Sequence, residues 1–125
     1  MQAVNRLKML AIGVSNMEAA KEFYGTKLGL QILSDYRQDD SHWWVTLQIP
    51  EGGITITLTT YHANTKPGAT TLWFVTSDLE ASYSHLSDAG LNVNDIKDDL
   101  YGPGSGVKFF NFEDPDGNLI HIEQG

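Results

Sequence analysis

The chain has 125 residues, 41% of them hydrophobic and 19% charged, which is the composition of one compact globular domain with a real core. Its 16 acidic residues against 8 Lys plus Arg give a formal charge of −8, and the basic residues are scattered. Nucleic acid and anionic membrane surfaces are therefore excluded as partners, since phosphate contacts need clustered Lys and Arg. There is no cysteine, so disulfides, thiolate metal ligands and a cysteine nucleophile are excluded. No apolar run approaches a membrane span and the N-terminus lacks a signal-peptide pattern, so a cytoplasmic protein is expected.

The first element is a strand-like run over 7–14, ending at Ser15-Asn16-Met17-Glu18. The S-x-x-E spacing matches a capping box, in which Ser and Glu satisfy orphan helix N–H groups. A helix to about Lys27 follows, with Met17, Ala20, Phe23, Tyr24 and Leu28 on its buried stripe. Gly29 stops it. Strands are predicted over about 30–36, 42–49 and 53–60, with Pro50-Glu51-Gly52-Gly53 as a turn. Segment 62–69 is a polar linker containing Pro67-Gly68.

The pattern then repeats. A second strand-like run over 70–76 ends at Ser77-Asp78-Leu79-Glu80, again S-x-x-E, 62 residues after the first. The second helix runs from Leu79 to about Ala89, burying Leu79, Tyr83 and Leu86, and Gly90 stops it. Strands are predicted over about 91–97, 106–113 and 118–123. The glycine-rich loop 98–106 is either a cover for a cavity or a wide hairpin connection. Asp114-Pro115-Asp116-Gly117-Asn118 is strong turn chemistry, with Gly for positive φ and Pro presetting its own. Each half reads β-α-β-β-β, module 1 at about 1–62 and module 2 at about 70–125, and neither half alone is long enough for a good core.

Paired β-α-β-β-β modules, the helix M-E-A-A-K-E-F-Y-G-T-K-L-G-L and the late D-P-D-G-N together resemble the vicinal oxygen chelate superfamily. This is the glyoxalase, bleomycin-resistance and extradiol dioxygenase group, and the resemblance covers essentially the whole chain. It implies an α+β fold in which the two modules form paired curved sheets around a cup, with the helices outside, and commonly a homodimer. Strand alternation then sorts the side chains. Leu10, Ile12, Val14, Ile54, Ile56, Leu58, Leu72, Phe74, Phe110, Phe112, Ile120 and Ile122 should pack on helices. Met9, Ala11, His42, Trp44, Thr46, Gln48, Thr55, Thr57, Thr59, Thr71, Trp73, Phe109, Asn111, His121 and Glu123 should face the cup.

The resemblance also implies four metal-ligand positions in metal-using members, commonly His or Gln on the first strand of each module and Glu on the last. Here they fall on Met9, Thr57, Thr71 and His121. Neutral hydroxyls and a thioether are poor ligands for a divalent first-row ion, so no cofactor is expected. An improvised site of His121 with Glu123, Glu113 or His42 is the alternative. His121 is the candidate acid–base residue, and otherwise a cup-lining histidine bonded to Glu123 or a threonine. The remaining histidines, His62 in the linker and His85 on the second helix, read as solvated. Trp43 and Trp44 are adjacent on a strand, so one faces the helix layer and the other the cup. Trp44, Trp73 and Phe109, with Tyr101 from the loop, supply an apolar wall, and Thr57, Thr71, Asn111, His121 and Glu123 supply hydrogen-bonding points. The expected function is metal-independent binding of a small apolar or aromatic molecule. The alternative is a lyase, isomerase or dioxygenase-like enzyme using His121 or a non-standard metal site, and the rings filling the cup or a dimer interface is the plain structural reading.

Overall fold

The computed structural model describes all residues, 1–125, and is an α+β chain of seven strands and two helices in two compact units, Met1–Pro67 and Gly68–Gly125. The division falls inside the linker 62–69. In the first unit, β1 (Met9–Gly13), β2 (Gln31–Asp39), β3 (His42–Gln48) and β4 (Thr55–Thr59) form a sheet in the order β1-β4-β3-β2. β1 pairs parallel to β4, and the others are antiparallel. In the second unit, β5 (Thr71–Thr76), β6 (Phe109–Glu113) and β7 (Leu119–Gln124) form a sheet in the order β5-β7-β6, with β5 parallel to β7.

Helix α1 (Met17–Lys21) is capped by Asn16, whose side chain accepts the Ala19 N–H at 3.0 Å, and α2 (Leu79–Asp88) by Asp78, which accepts the Ala81 N–H at 3.1 Å. Both caps thus lie one residue after the serine that the S-x-x-E spacing suggests. Asn and Asp reach the N3 amide as well as serine does, so either neighbour can serve. α1 runs without a break into a π-helical stretch, Glu22–Lys27, closed by an N–H of Leu28 on the Phe23 carbonyl at 2.9 Å. The wider turn keeps the neighbours Phe23 and Tyr24 both buried, edge to face at 4.9 Å.

The period-2 pattern places most of the core, with Ile54 and Phe74 only half-buried. Ile12, Val45, Leu47, Ile56 and Leu58 are buried in the first unit with Met17, Ala20, Phe23 and Tyr24, and Leu72, Phe110, Phe112, Ile120 and Ile122 in the second with Leu79 and Leu86. Tyr83 of α2 meets Phe110 edge to face at 5.3 Å. Trp43 is the buried member of the tryptophan pair. Its indole N–H donates to Asp35 Oδ1 at 2.6 Å, and Lys21 of α1 pairs with Asp35 Oδ2 at 2.6 Å, tying the helix to the edge strand β2. These donors, Lys21 first and then Trp43, hold the Asp35 carboxyl below its ordinary pKa.

Three expectations change. Segment 91–97 is not a strand: against β6 it makes one bridge, Lys97 to Phe109, and one further backbone hydrogen bond, from the Asn94 N–H to the Asn111 carbonyl at 2.9 Å. Leu91-Asn92-Val93-Asn94 alternates, but Asp95 falls where the next apolar residue is due and Ile96 is out of phase, so the pattern lapses before a strand is complete. Leu10 lies on an edge strand and is exposed rather than packed under a helix. His62 is not simply solvated, since its Nε2 bonds the Val14 carbonyl at 2.7 Å.

The turn at 114–118 is a buried staple. Asp114 Oδ1 accepts the N–H groups of Asp116 (2.9 Å) and Asn118 (2.8 Å), and its Oδ2 accepts from Asn118 Nδ2 at 2.7 Å. The other end of the Asn118 amide accepts the Thr70 N–H at 2.8 Å, and the Leu119 N–H donates to the Thr70 carbonyl at 3.1 Å. Gly117 takes φ 87°, which an L side chain rarely adopts. The staple locks the start of β5 against β7, and so sets the register in which Trp73 lies opposite His121.

Candidate functional site: two helix-free sheet faces

In the second unit the face away from α2 is built in rows across β5, β7 and β6. Thr71, Leu119 and Glu113 form the first, Trp73, His121 and Asn111 the second, and Val75, Glu123 and Phe109 the third. Trp73 stacks on His121 with ring centroids 4.4 Å apart and planes 28° apart, and Phe109 approaches His121 at 6.0 Å. From the loop, Tyr101 lies on Trp73 at 6.1 Å and 19°, and its hydroxyl donates to Glu123 at 2.9 Å. Asn111 is bonded by the side chain of Asn94, with which it lines a groove of about 390 Å³ together with Asp95, Lys97 and Phe109. Thus Thr71, Trp73, Tyr101, Phe109, Asn111, His121 and Glu123 share one face.

Desolvation sets the character of His121. Its Nδ1 is sealed from solvent and has no hydrogen-bond partner, and burial holds the imidazole below its ordinary pKa, so the ring is neutral near pH 7. Glu123, the expected partner, is engaged by Tyr101 instead. That bond, followed by burial and the negative charge, raises the Tyr101 phenol. A neutral imidazole with an unpaired polar atom beneath a half-exposed indole can accept one hydrogen bond or one proton, once the indole moves. No nucleophile or second acid stands beside it.

In the first unit the corresponding face runs from polar to aromatic. Met9, Thr55 and Gln48 form one row, Ala11, Thr57 and Thr46 the next, and Gly13, Thr59 and Trp44 the last, with Tyr36 beside Trp44. Thr57 is buried and already committed, since its hydroxyl donates to Met9 Sδ at 3.2 Å and lies 3.2 Å from the Thr46 hydroxyl. Trp44 belongs to a ring cluster with Tyr36 (6.1 Å), His42 (6.0 Å) and Tyr61 (6.3 Å). Strand alternation puts His42 and Trp44 of this cluster on the cup face and does not reach Tyr36 or Tyr61. Tyr61 follows the odd-numbered alternation of Thr57 and Thr59 one step beyond β4, which is the signal that points to it. Tyr36 required the β2–β3 register, and that is offset by two bulges. Asn94 likewise depended on how an irregular segment lies against β6.

No three His, Cys, Asp or Glu side chains converge as a metal site anywhere in the chain. Residues 6–122 match the model of the glyoxalase/bleomycin resistance protein/dioxygenase superfamily. The chain belongs to that superfamily. Among solved structures it is similar to TnmS3, an antibiotic binding protein from Streptomyces sp. CB03234, with 26% identity and a TM-score of 0.84 over 99% of this chain and 98% of that one. A glyoxalase/bleomycin resistance protein from the same organism matches with 26% identity and a TM-score of 0.76, over 94% and 98% of the two chains. A superfamily member from Sphaerobacter thermophilus DSM 20745, at 21% identity and a TM-score of 0.80 over 99% and 100%, shows the same fold. No curated protein is similar enough in sequence to be matched. As a superfamily member the chain carries no helix long and apolar enough to cross a membrane.

Proposed function

We propose that the protein binds a small apolar or aromatic molecule, without a resident metal, on the helix-free faces of its sheets, in the manner of the bleomycin-resistance branch. The observation that carries this is the second-unit platform, in which Trp73, Tyr101, Phe109 and His121 gather around one exposed indole with Asn111 and Glu123 at its margin. An apolar stacking surface bordered by a few convergent polar groups is the usual composition of a ligand site. Similarity to an antibiotic binding protein supports the same reading. The donor chemistry supports metal independence: at the family's ligand positions Met9 and Thr57 bond each other, Thr71 is a neutral hydroxyl, and His121 has no carboxylate partner.

Residues 1–125 are taken as one glyoxalase-type domain in a cytoplasmic homodimer. The dimer reading rests on the edge strands β1 and β5, which expose Met9 and Leu10, and Trp73 and Val75. Such edges need cover.

Titration of a panel of planar drugs and metabolites, read by tryptophan quenching and calorimetry, should find micromolar binding that Trp73→Ala abolishes; unchanged binding in that variant refutes the platform. The second reading, an enzyme with His121 as general base, is favoured by the neutral, unpaired Nδ1. Turnover lost in His121→Gln with ligand affinity kept would select it.

A further inference from the structure

The ring cluster of the first unit has a charge pattern that the ligand-binding reading does not use. Trp43 and Trp44 are neighbours on β3 and show opposite solutions to the same problem. Over Trp43 the chain places its own cations, the Arg37 guanidinium 4.2 Å and the Lys21 ammonium 5.6 Å from the ring. Both lie on the helix side, as the pairing of Arg37 with Trp43 requires. Over Trp44, Tyr36 and Tyr61 the chain places no lysine or arginine. The carboxylate beside the cluster is Asp39, at the end of β2, which accepts the Ser41 N–H at 2.9 Å and lies 3.0 Å from Nδ1 of the clustered His42. His42 in turn stacks on Tyr61 at 5.2 Å.

We propose that this band of rings is a binding site for an alkylated organic cation, its ammonium head lying on the faces of Trp44, Tyr36 and Tyr61 with the Asp39 carboxylate as counter-charge. The exposure is one reason. Tyr36 is 61% and Tyr61 44% exposed, although both rings are clustered, so the band offers open π surface and not core packing. Geometry is another. Trp44 is the middle ring, and its neighbours are tilted from it by 36° and 41°, so several ring faces lie within reach of one head group. Indole is the strongest of the aromatic cation receptors. An ammonium with free N–H groups is strongly hydrated, and shallow rings cannot replace that hydration. An alkylated head sheds little water and gains both dispersion and cation–π attraction. No lysine or arginine charge is left to oppose a cation there: Arg37 is paired with Asp40, and the molecule as a whole carries −8 with histidine neutral. This inference extends the ligand-binding reading to a chemical class, but its rings belong to the first unit alone.

The test uses choline chloride and its neutral isostere 3,3-dimethyl-1-butanol, titrated into the intact protein at constant ionic strength. The indole N–H resonances of the three tryptophans report where each probe binds. Choline should shift Trp44 and leave Trp43 in place, with an affinity at least fivefold above that of the alcohol. Trp44→Phe, which keeps a ring and the fold, should weaken choline binding two- to fivefold, and Asp39→Asn should weaken it severalfold without moving the alcohol. Trp73→Ala should leave the choline titration unchanged, which separates this site from the second-unit platform. Equal affinity for the two probes, a shift confined to Trp73, or no response of Trp44 at tens of millimolar choline overturns the proposal.

Discussion

Asn118 carries the most consequence for one side chain, because it is fully buried and its amide makes a bond at each end. In Asn118→Ala the backbone N–H of residue 118 still donates to Asp114 Oδ1, so the turn keeps part of its staple. Two bonds disappear. The first, Nδ2 to Asp114 Oδ2, is made to a carboxylate, and such bonds contribute about 1.5–3 kcal/mol. The second leaves the part-buried Thr70 N–H without its side-chain acceptor, which costs about 1–3 kcal/mol. Because the two share one side chain they do not sum fully, and a loss of about 2–5 kcal/mol is expected. Against a total stability of about 5–15 kcal/mol that is a large fraction, and for a domain of this size it lowers Tm by roughly 6–20 °C. Urea unfolding followed by circular dichroism measures the loss directly. Amide exchange at Thr70 and Leu119 should rise more than in α2. A loss below about 1 kcal/mol with an unchanged m-value would refute the view of the turn as a buried staple and leave it as surface hairpin chemistry.

Gly13→Ala tests a close approach: a Cβ there would lie 2.1 Å from the Thr65 carbonyl oxygen and 2.8 Å from its carbon. Backbone cannot rotate away, so about 1–3 kcal/mol of destabilisation is expected, whereas alanine at Gly52, with open space around it and only its φ of 83° to strain, should cost about 1 kcal/mol. Equal losses at the two positions would remove the argument. For His121 the folded-state pKa is depressed, so the unfolded chain binds the extra proton first. Stability from this residue is therefore complete above the ordinary histidine pKa of about 6.5 and falls as the pH drops below it, and His121→Phe should flatten that limb. An NMR titration midpoint for His121 at or above the ordinary value would contradict the desolvation seen at Nδ1.

Much of this protein is legible in its sequence because short-range chemistry decides it. Period-2 alternation put Ile120 and Ile122 in the core and His121 and Glu123 on the opposite face, since a strand turns successive side chains to opposite sides. Helix stops at Gly29 and Gly90 followed from the need for a positive φ, which the structure gives as 78° and 87°. Tertiary structure decided what those faces meet. His121 and Glu123 share a face yet do not bond, because Tyr101 arrives from a distant loop to take the carboxylate and Trp73 covers the imidazole. Tyr36 joined Trp44 only through a bulged register, and the bridge at Lys97 replaced a whole expected strand. Local periodicity assigns a side chain to a face. The partner that completes it is chosen by pairing between segments far apart in the chain, and a single bulge or an irregular loop changes that choice without altering the local pattern.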